Sequence, residues 1–138
     1  MSSPDPAAEG RRRADVYLTL LGHDDAAAAA LLDGVDGVRE LVFLGAGLTA
    51  VARAEARLLP PAQRAQANTR QERLGLVRDA NRSSPEGLRT WLRQAGEEIT
   101  LIRSQRDIAD RVHAQERATR AAAEASGTAA ASSAATTT

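Results

Sequence analysis

Residues 39–59 read RELVFLGAGLTAVARAEARLL, and two folds compete for them. Taken as strand, turn and helix, Gly45-Ala46-Gly47-Leu48-Thr49-Ala50 fits the dinucleotide fingerprint G-x-G-x-x-A, whose glycines let the backbone approach a pyrophosphate. Taken as one apolar helix, the same glycines are small packing residues. The fingerprint needs a buried strand before it, a second strand after it and an acid about 20 residues on. Residues 41–44 would serve as the first strand. The stretch at that distance beyond Gly47, however, is Ala65-Gln66-Ala67-Asn68, with no acid, and the next apolar run, 74–77, comes late and contains Gly75. The other apolar runs, 16–21 and 99–102, are too few to bury both faces of a parallel sheet. As a helix the stretch is coherent. Leu41, Leu44, Leu48, Val51 and Leu58 keep a helical spacing broken only at Glu55, and Val38, Val42, Phe43 and Leu59 widen the stripe. This predicts a central helix over 35–59, ended by Pro60-Pro61. Gly45 and Gly47 would then let another helix close on Leu41, Leu44 and Leu48, offsetting the roughly 1 kcal/mol each loses against alanine in a helix.

Working outward, residues 14–21 are apolar and stop at Gly22, a residue that takes the left-handed conformation at a helix C-terminus at low cost. Asp24 or Asp25 then caps a second helix running to Gly34, which makes a helical hairpin over 14–33. On the other side, 59–73 is polar and reads as a linker or a weak exposed helix, followed by a short helix over 71–81 bearing Leu74, Leu76 and Val77. Ser83-Ser84-Pro85-Glu86 is the clearest start signal in the chain: a capping serine, a proline suited to the first helical position and an acid in the first turn. The helix it opens carries Leu88, Trp91, Leu92, Ala95, Ile99 and Ile102. The ends, 1–13 and the Ala/Ser/Thr tail within 113–138, hold almost no large apolar residues and read as disordered or frayed. The expected fold is therefore all-α. It is a small helical bundle over 14–112, built from a hairpin, a core helix and a long C-terminal helix, with disordered termini.

Composition agrees with helix: 30 of the 138 residues are alanine and only Tyr17, Phe43 and Trp91 are aromatic. Net charge is zero, with residues 1–60 at −3 and residues 61–138 at +3, and all 18 basic residues are arginine. That is a mild polarity rather than the footprint of a strongly basic nucleic-acid binder. The absence of cysteine excludes disulfides, thiolate metal sites and a cysteine nucleophile. The Arg11-Arg12-Arg13 run precedes an apolar patch too short for a signal peptide. The longest uncharged apolar run, 41–52, falls well short of the ~20 residues that span a bilayer. The expectation is a soluble cytoplasmic protein with no membrane partner.

Few constellations carry chemistry. His23-Asp24-Asp25, with Asp33 and Asp36 downstream, lacks the spacing and turn glycine of an oxygen-rich metal loop and reads as a loop with two caps. Asp107, Asp110, His113 and Glu116 recur every three residues. Di-iron bundles, however, need two Glu-x-x-His pairs and two further carboxylates on apolar faces, so this face reads as solvated, with ion pairs such as Asp107–Arg111. No nucleophile-elbow, zincin or P-loop pattern occurs. The expectation is no enzyme, no cofactor and no metal.

The stretch RLGLVRDANRSSPEGLRTWLRQAG, residues 73–96, resembles the second half of a helix-turn-helix unit, as in transposase-type DNA-binding subunits. The resemblance would turn Leu88 and Trp91 or Leu92 inward, and would present Arg82, Arg89, Thr90 and Arg93 to DNA. Residues 64–93 hold seven arginines against three acids, which suits it. It departs in having Asn81 or Arg82 where the tight-turn glycine belongs, and Ser83 where an apolar anchor belongs. A second resemblance covers residues 14–102. YLTLLGHDDAAAAALLDG, then LVFLGAGLTAVARA, then SPEGLRTWLRQAGEEI looks like small Ala-rich helical proteins of actinobacteria and their phages. It implies a bundle with an accessory role. The functional expectation is a non-enzymatic helical interaction or accessory protein, working through a protein partner or self-association. DNA binding at about 71–95 is the alternative, and nucleotide binding through Gly45–Gly47 the second alternative.

Overall fold

A computed structural model describes residues 5–136, and among them the protein is all-α, with five helices in the order α1 (Pro6–Leu20), α2 (Asp25–Asp33), α3 (Val38–Ala56), α4 (Pro61–Ala80) and α5 (Pro85–Thr136). Two compact units divide at residues 105 and 106. The first holds α1 to α4 and the start of α5, and the second is the remainder of α5. Residues 1–4 and 137–138, part of the expected disordered ends, lie outside the described residues.

The hairpin forms as its caps require. The Asp24 carboxylate accepts from the Ala27 amide at 3.0 Å, Asp25 accepts from the Gly22 amide at 2.9 Å, and α2 stops at Gly34. Gly22 and Gly37 have φ of +86° and +97°, so each bounding turn uses the left-handed region that side chains avoid. Residues 41–44, the strand of the fingerprint reading, lie inside helix α3. At the start of α5, Ser84 Oγ accepts from the Gly87 amide at 3.0 Å, the cap read from Ser-Ser-Pro-Glu.

Two expected boundaries change. Of the two readings of 59–73 the helix holds, and it is not separate from the short helix over 71–81: Pro61 opens α4 as a first-turn proline and the helix continues to Ala80. The disordered 1–13 segment is helical from Pro6, with Asp5 accepting from the Ala7 amide at 3.2 Å. The C-terminal helix is continuous through Gly96.

The core of the first unit is aliphatic and alanine-rich. Leu32, Leu41, Leu44, Leu48, Leu88 and Leu92 are completely buried, and Ile99 and Ile102 extend the cluster along α5. What brings the helices this close is a set of glycine seats. A Cβ on Gly45 would collide with the edge of the Trp91 ring at Cη2 and Cζ3, joining α3 to α5. One on Gly96 would lie 2.9 Å from Tyr17 Cε1, joining α5 to α1. One on Gly10 would lie 2.5 Å from the Phe43 carbonyl oxygen, joining α1 to α3. The three aromatic residues of the chain thus each meet a glycine, one for every pair among α1, α3 and α5. Gly47, two residues from Gly45, faces Ala14 of α1 instead, so the glycine pair serves two different neighbours. Polar bridges complete the packing. Arg70 Nε donates to the buried Glu98 at 2.7 Å between α4 and α5, and Arg103 Nε is shared by both Glu55 oxygens at 3.0 and 3.1 Å between α3 and α5.

Candidate functional site

The four residues expected to face DNA divide. Arg89 does not point outward. Its Nε donates to the Leu32 carbonyl at 3.2 Å and one Nη to the Val35 carbonyl at 3.1 Å, while the other pairs with Glu86 at 2.8 Å. The Arg89 side chain, 13% exposed, therefore closes the C-terminal end of α2, where the last carbonyls and the negative end of the helix dipole favour a cation. Arg82 is exposed and pairs with Asp79 at 3.3 Å. Thr90 bonds back to the Glu86 carbonyl at 3.2 Å and receives Arg93 Nη2 at 3.2 Å. Asn81, where the tight-turn glycine would stand, folds its amide back onto the Val77 carbonyl at 2.8 Å and lies against Gly87. The arrangement is a helix-to-helix turn tied into the bundle through Arg89.

A second cluster was not singled out by sequence reasoning. Between α3 and α4 lies a groove of about 510 Å³. Leu48, Ala52, Trp91 and Ala95 form its buried floor, and Leu74 and Gly75 line it from α4. Arg53, Arg57, Arg64 and Arg78 stand around it, against a single acid, Glu72. Among the described residues Arg53, Arg57 and Arg64 enter no ion pair. Arg78 shares Asp79 with Arg82, and the Arg78 hydrogen bond and then that of Arg82 hold Asp79 below the usual carboxylate range. Arg53 on the last turn of α3 and Arg57, the residue that caps its C-terminal end, are four positions apart, so the cluster was legible only once Pro61 was read as the start of a helix that brings Arg64 and Arg78 opposite.

In the second unit, residues 106–127 are helical, and the side chains from Asp110 onward are exposed throughout. Ile108 and Val112 are 52% and 46% exposed. Arg111 Nε bonds the Asp107 carbonyl at 3.3 Å, and His113 lies 3.6 Å from Glu116.

No group of three or more His, Asp or Glu side chains converges as a metal site among the described residues, and none of their helices is long and apolar enough to cross a membrane. Compared with known protein families, curated proteins and solved structures, the chain finds no match.

Proposed function

We infer that the protein is a non-enzymatic helical interaction protein that associates with a second copy of itself through the part of α5 beyond residue 105. The observation that carries this reading is the placement of charge on that stretch. Ile108, Val112, Gln115, Thr119 and Ala122 recur at alternating spacings of four and three, the seam of a two-stranded coiled coil, and none is charged. All eight charged residues between 106 and 124 fall off the seam, and the two apolar members with large side chains are half exposed. Arg111 and Glu116 flank the seam on opposite sides five residues apart, the separation at which they pair between two parallel copies. The resemblance of residues 14–102 to small actinobacterial and phage helical proteins favours the same accessory role.

Light scattering behind a sizing column tests it. The protein is expected to run as a dimer that dilutes to a monomer, and Ile108→Asp with Val112→Asp is expected to leave a folded monomer. Arg111→Glu and Glu116→Arg should each weaken the dimer, and together restore it. A strict monomer at millimolar concentration, or a dimer indifferent to all four changes, overturns the reading.

A further inference from the structure

We propose that the groove between α3 and α4 binds a small anionic amphiphile, a soluble molecule with an apolar body and one carboxylate or phosphate. The inference is independent of the α5 seam. Two features of the groove point to it.

The first is electrostatic. Four guanidinium groups surround an apolar floor with one acid among them, and three of the four have no ion-pair partner among the described residues. Like charges gathered at a surface repel one another, and an anion is the group that relieves them. A carboxylate or phosphate matches the planar donor fork of arginine by paired hydrogen bonds. Leu74 and Gly75, both partly exposed, line the groove above a floor of core residues (Leu48, Ala52, Trp91 and Ala95) that is already packed, so an apolar body meets a wall that is formed rather than one that must be ordered first. A volume of about 510 Å³ suits a small molecule and not a folded partner.

The second is Gly75. The other helical glycines of the bundle are explained by contact, because a Cβ on Gly10, Gly45, Gly47, Gly87 or Gly96 would collide with a neighbour. Gly75 sits inside α4, where glycine is unfavourable, yet a Cβ there would meet nothing nearer than Arg78 Nη2 at 3.9 Å. No packing in the protein requires it. Its effect is to leave open the α4 side of the groove, directly beside the arginines.

Titration calorimetry with octanoate, octyl phosphate and the neutral octanamide reads the proposal directly. The two anions are expected to bind, and the amide about tenfold or more weaker, because it forms no charge-assisted pairs. Arg57→Gln and Arg64→Gln should each weaken the anions several-fold and leave the amide unchanged. Gly75→Leu separates ligand space from folding. It improves the helix, so the melting temperature should stay or rise, while affinity for both anions falls. Gly75→Ala should raise the melting temperature with little loss of binding. Equal binding of octanoate and octanamide, full affinity in Gly75→Leu, or no heat from either anion at millimolar concentration overturns the proposal. Sedimentation with phosphatidylglycerol vesicles, without binding of free octyl phosphate, would assign the arginines to a lipid surface and overturn the free ligand. None of these readouts depends on whether α5 dimerises.

Discussion

One substitution made at two glycines separates the two uses of that residue in this chain. At Gly45 a methyl group has no room, since it would collide with the edge of the Trp91 ring, and overpacking of a formed core costs about 1–3 kcal/mol, more than the helix propensity it gains. Gly45→Ala is expected to lower stability in chemical denaturation, and Gly75→Ala to raise it by up to about 1 kcal/mol. A Gly45→Ala protein as stable as the parent would show that α3 and α5 are not seated through this contact. That Gly45 and Gly47 are packing residues was legible in the sequence, because the fingerprint lacked its acid and its second strand. Their partners were not legible. Periodicity marks the face that is buried but not the residue that meets it, and Trp91 lies 46 positions away from Gly45.

Between elements, the bond that decides most is Arg89 on the end of α2. A largely buried guanidinium serving two carbonyls and Glu86 cannot be replaced by an apolar chain of similar length without loss: the Val35 carbonyl is stranded, while the Leu32 carbonyl keeps only the Val35 amide at 3.2 Å. Arg89→Met is expected to destabilise the bundle by about 2–3 kcal/mol, seen as a lower denaturant midpoint, while Arg82→Met leaves it unchanged because Arg82 is an exposed surface partner. Equal midpoints would remove Arg89 from the fold and return it to the surface reading. Capping chemistry made two of the five helices readable in advance, α2 through Asp24 and Gly34 and α5 through Ser84 and Pro85, and α3 was readable from its apolar stripe. It fell short at α1 and α4 for a shared physical reason. The first turns of α1 bury Gly10, which has no side chain to mark a stripe, and α4 fully buries only Ala67. Pro60-Pro61 reads as the stop of the preceding helix, although Pro61 is also the first-turn residue of the next. The groove was hidden by the same error, because its far wall is α4.

For the molecule as a whole, the absence of lysine and cysteine makes its alkaline behaviour unusually simple. Between about pH 9 and 12 Tyr17 is the only side chain that titrates, since arginine stays charged. Burial pushes its phenol up from 10.0, against the opposing pull of Arg93. A raised pKa in the folded state means that the stability this group contributes is complete below the unfolded value and is lost as pH climbs through the folded one. Urea midpoints followed by helicity should therefore stay level to about pH 10 and fall above it. Tyr17→Phe should flatten that fall, and an identical decline in the variant would place the alkaline loss elsewhere. The seats of Tyr17 and Trp91 carry one more consequence. Each kind of chromophore occurs once, the first between α1 and α5 and the second between α3 and α5, and their light is separable by wavelength. The two signals are thus independent witnesses to two different joints of the same bundle. If they vanish together the bundle melts as one cooperative body, and if one outlasts the other, their order tells which helix leaves first.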